Sequence, residues 1–442
     1  MPPGARSGSR PGSVDVRTPW PERPPPGPFR REFWRSPLRG PWLTSVLGSL
    51  LLPLILICAL TGFLSHAAYN PDLGSNSITG PGSAPFDLFF FDWPTSPAWL
   101  YAATQGLHIV SGIAAIPLLL AKLWSAMPKL FEWPPLRSPS HVLERLSLAM
   151  LVGGSLFVFF TGLFNIQLWY AWKFNFVAAH YYGAYVFLAG LAIHLVVKVP
   201  VALRAFRERG VVAPLRDDLA RTAPEPPEPE TTSPLAPAAP TVTRRWLLGV
   251  VGAASAGLGV MAAGQSVGGP FRELAFLAPR GRTAGDGPND FLVNKTAASR
   301  GIDEDATGPG WRLSVRGTER IEFDRERLMA LPLATHSLPI ACVEGWSTTQ
   351  RWTGVPLRDL AALAGAAAPR SEALVESLQE SGSFREVTLA PNQVDDERTM
   401  LALRVNGADL SLDHGFPARL IVPGAPGVHC TKWVASIEFT ES

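Results

Sequence analysis

Five apolar runs, each long enough to cross a bilayer as a helix, constrain this chain of 442 residues more than any other feature. A hydrocarbon layer ~30 Å thick needs about 20 apolar residues at the helical rise, and it offers no water to an unpaired backbone amide. The runs cover 42–64, 98–124, 142–164, 176–197 and 246–263. Between the first two lies a loop with Asp72, Asp87 and Asp92 and no Lys or Arg. The opposite ends carry Arg30, Arg31, Arg35 and Arg39, then Lys122, Lys129 and Arg137, then Lys198, Arg204, Arg207 and Arg209. Positive charge stays on the cytoplasmic side, so the pattern predicts a multi-pass plasma-membrane protein with a cytoplasmic N-terminus. An odd number of spans then leaves everything after about 264 extracytoplasmic. No apolar core of signal-peptide length opens the chain, so export is expected to depend on a span.

The remaining sequence divides around these runs. Residues 1–40 read as a disordered cytoplasmic N-terminus, 41–205 as a four-helix membrane unit and 206–243 as a Pro-rich cytoplasmic linker. Many of the 43 prolines and 40 glycines fall within 1–29 and 223–240, which read as disordered, the second as a semi-extended spacer. Residues 244–264 form a fifth anchoring span, and 285–442 a soluble domain. The fifth span opens on Thr243-Arg244-Arg245-Trp246-Leu247-Leu248. Two readings stand: a flanking positive pair, or a twin-arginine signal that exports a folded, cofactor-loaded domain. A formal net charge of +2 carries no sign of nucleic-acid binding. Three cysteines (Cys58, Cys342 and Cys430) are too few for a disulfide scaffold.

Histidines inside spans are costly and usually functional. His180 and His194 on the fourth span are fourteen residues apart, which at ~100° and ~1.5 Å per residue returns them to nearly one face, about 21 Å apart. That separation suits two haems stacked across the bilayer, each needing a second axial ligand from another helix. The spans resemble the di-haem cytochrome b subunits of formate dehydrogenase and hydrogenase, whose last helix supplies two histidines at this spacing. By depth, His108 pairs with His180 as ligands of an outer haem b. His141 is the better match in depth for His194, because His66 lies at the outer edge. The family subunits place that inner ligand on the first helix, where this sequence has none. For His66 and His141 a plain hydrogen-bonded role at the interface remains open. Cys58 lies among Leu and Ile and reads as a packing residue.

From about 289 onward the pattern changes to alternating apolar segments such as 311–315 and 401–405, which read as strands. Asn406-Gly407 and Pro423-Gly424 read as turns, and 357–363 as a short helix. About 150 residues suffice for one α+β core. Three separated motifs stand in this stretch. The first runs Ala341-Cys342-Val343-Glu344-Gly345-Trp346-Ser347, followed by Trp352-Thr353-Gly354-Val355-Pro356-Leu357-Arg358-Asp359-Leu360. The second runs His414-Gly415-Phe416-Pro417-Ala418-Arg419-Leu420-Ile421-Val422-Pro423-Gly424, followed by Gly427 and Lys432-Trp433. The third, Val293-Asn294-Lys295-Thr296-Ala297, stands near the start of the domain. Together they resemble the sulfite-oxidase-type molybdopterin domain.

That resemblance implies that Cys342 ligates molybdenum, that Arg419 and Lys432 hold the pterin phosphate, and that Asn294 and His414 contact the cofactor, with Lys295 a weaker candidate. A soft thiolate and a guanidinium fork suit those roles. Sulfite oxidases follow the cysteine with arginines that bind their anionic substrate. Here Glu344 and Trp346 stand there instead and become candidates for the substrate pocket. The stretch looks more like the periplasmic protein-methionine-sulfoxide reductases, whose partner is a haem b membrane protein. The additional dimerisation domain of sulfite oxidases is not expected before Ser442. From the residues alone, a Cys342–Cys430 disulfide and a papain-like pairing of Cys342 with His414 or His429 also stand.

The reading that follows is a membrane bundle binding haem b, one or two, joined to a molybdopterin oxidoreductase domain. It would exchange electrons between the quinone pool and an extracytoplasmic substrate, a small molecule or protein sulfoxide. The rival readings are a haem b carrier or a membrane sensor whose outer domain binds or docks without catalysis.

Overall fold

The computed structural model describes residues 21, 23–79, 91–134, 139–227, 232–282 and 285–441. Most of the N-terminal segment, Asp87, Arg137, the linker positions 228–231 and the side chain of His141 lie outside the described residues.

The five apolar runs form five helices: α1 (Pro41–Ala67), α2 (Leu100–Leu130), α3 (Pro139–Ile166), α4 (Phe176–Arg209) and α5 (Arg244–Val267). Their starts follow local chemistry. Pro41 sits in the first turn of α1, and the side chains of Asn175 and Thr243 accept the amides of Ala178 and Trp246 at the heads of α4 and α5. All five are long and apolar enough to cross a membrane. Large apolar side chains such as Leu56, Leu60, Leu107, Leu120, Phe160 and Ile193 face outward, the reverse of a bundle built for water.

Helix pairs meet over small residues. Gly106 faces Ser266, and Gly259 faces Ala114, where an added methyl would lie about 3.2 and 3.3 Å from its neighbour. Ser255 donates to the carbonyl of Ala114 at 2.5 Å. Such close backbone approach gives the helices extensive dispersion contact. At the end of the bundle carrying the N-terminus, Trp42, Leu43, Leu47 and Leu118 form a core.

The linker departs from the spacer its composition predicts. Glu225 is buried, accepts the Trp42 amide at 3.1 Å and faces Arg209 at 3.5 Å. Arg244, the first of the two arginines that open α5, is buried and donates to the carbonyls of Pro37 at 3.1 Å and Ala223 at 2.7 Å. Arg245 is exposed. A buried carboxylate and guanidinium are costly unless bonded, and these bonds tie the described part of the linker to α1 and to the residues just before it.

The C-terminal region carries two five-stranded sheets. The first has the order β2 (Arg320–Phe323), β1 (Leu313–Arg316), β10 (Val434–Glu441), β5 (Ser371–Ser377) and β6 (Glu386–Leu389). All its pairs are antiparallel except β1 with β10. The second runs β3 (Ala334–Ala341), β4 (Ser347–Pro356), β7 (Met400–Val405) and β8 (Ala408–Asp409), with β9 (Arg419–Ile421) also on β7. The expected strands at 311–315 and 401–405 are β1 and β7, and Leu357–Leu363 is helical. Both residues of Asn406-Gly407 have positive φ, 52° and 88°, as a two-residue hairpin turn requires.

The alternation along β7 assigns the faces. Leu401 and Leu403 point into the core shared with the first sheet, which Leu313, Val375 and Ile437 also enter. Met400 and Ala402 point the other way, into a cluster with Trp352, Ile421, Cys430 and Cys342. Cys342 therefore sits on the far side of the second sheet from the main core.

The domain is strapped to the bundle by the α1–α2 connection. Asn76 exchanges hydrogen bonds with the Thr388 backbone, at 2.7 Å and 2.8 Å. Trp93 donates to the Gly424 carbonyl at 2.8 Å, and His429 Nε2 lies 3.0 Å from the Asn76 carbonyl.

Candidate functional site

Cys342 follows β3 directly and begins a tight turn into β4. Its amide donates to the Trp346 carbonyl, and the Gly345 amide returns to the Cys342 carbonyl, each at 2.9 Å. Gly345 has φ +91°, and a Cβ there would lie 2.5 Å from Ile109 of α2, so glycine is needed on both counts. The turn places Cys342 in the wall of a narrow cleft with Asn294, Trp346, Arg419 and Lys432, backed by Phe291 and Leu292. Three motifs far apart in sequence thus converge.

The cleft is rich in cations. Arg419 is buried, its Nη1 donates to the His414 carbonyl at 3.3 Å, and its Nε has no partner among the described residues. Burial brings its guanidinium down to about 10. Lys432 donates to the carbonyls of Lys295 at 2.8 Å and Asp413 at 2.7 Å. Burial, then the charge of Arg419, lowers its ammonium to about 6. Lys295 is lowered by burial and by Arg300, whose Nε is also unpartnered among the described residues. His414 stacks on Phe291 at 3.7 Å, and its Nε2 lies 2.8 Å from the Asn289 carbonyl. Its Nδ1 and the Thr431 hydroxyl are buried without partners among the described residues. Several buried donors with depressed cations among them call for an anion. A dianionic phosphate on an organic cofactor fits that requirement.

Cys342 itself is buried, and burial, reinforced by Glu344, pushes its thiol up to about 12. A soft metal cation would be needed to hold it as thiolate. Cys342 and Cys430 are both free thiols, so the disulfide alternative is not formed. Among the described residues no hydrogen bond joins Cys342 to His414 or His429, whose Nε2 atoms are taken by the Asn289 and Asn76 carbonyls. The papain-like pairing is therefore absent.

The two pocket candidates part company. Trp346 lines the cleft. Glu344 is instead clamped by Arg280, with Nε to Oε2 at 2.5 Å and Nη2 to Oε1 at 2.6 Å, and it accepts the Trp346 indole at 3.0 Å. Arg280 carries no signal in the sequence. It lies in an irregular stretch after α5, where no periodicity or motif marks it, and only the fold brings it to Glu344.

A second cavity, of about 260 Å³, lies in the bundle and reaches Val343 of the C-terminal domain; it is lined by Cys58, Gly62, Gly112, Gly162 and Phe187 together with three histidines. His108 from α2 and His180 from α4 face each other across it, ring centroids 5.9 Å apart. The Nδ1 of His108 lies 2.8 Å from the Cys58 carbonyl, and that of His180 lies 2.8 Å from the Val158 carbonyl. Carbonyls only accept, so each Nδ1 carries hydrogen and each Nε2 keeps its lone pair for a metal. A methyl on Gly62 would lie 2.8 Å from the His108 ring, and one on Gly162 would lie 3.0 Å from the His180 ring. The geometry suits a bis-imidazole iron. Cys58 also contacts His108, with Sγ 3.5 Å from Nδ1, beyond the packing role its neighbours suggest. His66, the third histidine of the cavity, packs against Tyr181 at 4.3 Å. His194 lies outside the cavity lining, and no described histidine faces it.

Residues 301–442 match the family model described as oxidoreductase molybdopterin binding domain. The helical region lies outside that match. The nitrate reductase [NADH] of Volvox carteri is 34% identical over 105 residues, 22% of this chain and 12% of the relative. The mitochondrial sulfite oxidase of Mus musculus is 37% identical over 106 residues, 22% of this chain and 19% of the relative. The matched stretch is thus a small part of either protein. Among solved structures, the sulfane dehydrogenase SoxCD of Paracoccus pantotrophus aligns at 27% identity and TM-score 0.28, covering 30% of this chain and 39% of that one. The C-terminal region of this chain is a molybdopterin-binding oxidoreductase domain of the type found in sulfite oxidase and nitrate reductase, which are enzymes.

Proposed function

We propose that this chain is a membrane-bound molybdenum oxidoreductase that exchanges electrons between the quinone pool and an extracytoplasmic oxygen-atom donor through haem b. The observation that carries the reading is the direct seating of the Cys342 turn on α2, the helix that carries His108. When bound, molybdopterin supplies two-electron oxygen-atom chemistry and haem b supplies one-electron transfer.

The chain's own residues would act as follows. Cys342 would ligate molybdenum, while Asn294, His414, Arg419 and Lys432 would hold the pterin and its phosphate, with Lys295 beside them. His108 and His180 would hold the iron through their Nε2 atoms. Trp346 would wall the substrate side of the cleft. Glu344 neutralises Arg280, so this turn offers no unpaired cation to an anion such as sulfite. That supports a neutral oxygen-atom donor such as a sulfoxide. Its reduction takes two electrons and two protons and releases water; a quinol supplies both and becomes quinone.

Membrane insertion is supported by the outward apolar faces and by exposed aromatics at the domain end of the bundle. Trp169, Tyr170 and Trp172 follow α3, and Phe271 and Phe276 follow α5, where an aromatic belt would meet the interface. The cationic end then faces the cytoplasm.

The test is molybdenum and iron per chain in detergent-purified protein from a host that makes the cofactor. Molybdenum near one and iron near one or two support the reading. Iron without molybdenum would favour the carrier or sensor.

A further inference from the structure

Two glutamines on separate membrane helices grip consecutive carbonyls of the Cys342 turn. Gln105, buried near the start of α2, donates its side-chain amide to the Val343 carbonyl at 2.8 Å. Gln265, near the end of α5, donates to the Glu344 carbonyl at 2.8 Å. The same turn is closed from below by Ile109 against Gly345, and from the side by Ser347, whose hydroxyl donates to the Ser266 carbonyl at 2.6 Å. Every one of these contacts joins the turn to α2 or α5, and those two helices are themselves packed through Gly106 against Ser266.

The placement on α2 has a consequence. Gln105 precedes His108 by three residues, so a rise of only ~4.5 Å separates the residue gripping the Cys342 turn from the imidazole facing the cavity. Polar side chains near the ends of membrane helices are retained where their bonds are satisfied. Here both amides donate to the backbone just after the cysteine, and among the described residues neither donates within the bundle.

We infer that Gln105 and Gln265 are positioning residues that fix the Cys342 turn to the His108 helix, making the cleft and the bundle cavity one rigid unit. The inference rests on the proposed reading, in which Cys342 and His108 serve two redox groups. Val343 and Gln105 both line the bundle cavity, so the hydrogen bond between them closes the wall that separates it from Cys342. Gln265 holds the other carbonyl, so the turn cannot pivot about the first contact.

The test uses the full-length, cofactor-loaded protein in detergent and the substitutions Gln105→Met and Gln265→Met, which keep length and remove the amide. Hydrogen exchange across 342–346 reports the turn directly, independent of turnover. Haem reoxidation by dimethyl sulfoxide, or by an N-oxide, reports transfer between cavity and cleft. Turnover driven by reduced viologen dye, which delivers electrons to the domain from solution, reports the cleft alone. The expected result is exchange about tenfold faster in the turn, equivalent to about 1.4 kcal/mol, and haem reoxidation at least tenfold slower. Viologen-driven turnover, molybdenum and iron content and the haem spectrum stay within twofold of the parent. Unchanged exchange and unchanged haem reoxidation in both variants would overturn the inference. So would equal loss of haem-driven and viologen-driven rates, which marks a purely structural role. Failure of the parent protein to bind molybdenum and haem would instead sink the underlying reading, and the inference with it.

Discussion

Removing Arg280 should destabilise the C-terminal domain through the charge it leaves behind. Glu344 has a side chain only 8% exposed and Arg280 one 22% exposed, and both carboxylate oxygens are bonded to the guanidinium, at 2.5 and 2.6 Å. Arg280→Met would strand the carboxylate with one remaining side-chain donor, the Trp346 indole. Breaking a fully buried pair costs roughly 3–5 kcal/mol, and the partial exposure of Arg280 reduces that to about 2 to 3 kcal/mol. For a domain of this size each kcal/mol shifts the melting midpoint by roughly 2 to 4 °C, so the expected drop is roughly 4 to 12 °C. A thermal melt of the full-length protein, followed by tryptophan fluorescence, reads it. If the stranded charge is the cause, Arg280→Met combined with Glu344→Gln must recover most of the loss. A double variant as unstable as Arg280→Met, or a single variant melting within 1–2 °C of the parent on this scale, would refute the reasoning.

Further outcomes follow from the two cavities. Cys342→Ala should abolish molybdenum binding and substrate turnover while the haem spectrum persists; an unchanged turnover would favour the carrier or sensor. His108→Ala and His180→Ala should each lower iron per chain by one haem equivalent, and Gly162→Val should do the same by driving a side chain into the His180 ring, with molybdenum content unaffected in all three. Lys432 should make the cofactor-free protein sensitive to pH. Its folded value of about 6 lies below the ordinary 10.5, so between those limits the unfolded chain binds more protons and stability rises with pH. The cofactor-free melting midpoint should therefore climb from pH 6 to pH 9, and Lys432→Met should flatten that slope; a slope unchanged by the substitution would assign it elsewhere.

Some of this protein was written in local sequence. The five apolar runs are helices where the runs lie, each long and apolar enough to cross a membrane, because a helix satisfies its backbone within the run itself. Asn406-Gly407 and the alternation at 401–405 likewise act over a few residues, and the cysteine, arginine and lysine of the cleft were legible because their motifs are contiguous. Composition reports what the linker lacks, whereas Glu225, within its described part, is held by the Trp42 amide of α1, a contact that composition does not carry. The pairing of His108 with His180 could be ranked by depth, but their facing rings depend on how α2 and α4 pack. Arg280 on Glu344, and Gln105 and Gln265 on the Cys342 turn, could be found only in the fold. Each is a single hydrogen-bonding side chain meeting a partner 64, 238 or 79 residues away, and no periodicity in a chain encodes a contact made once.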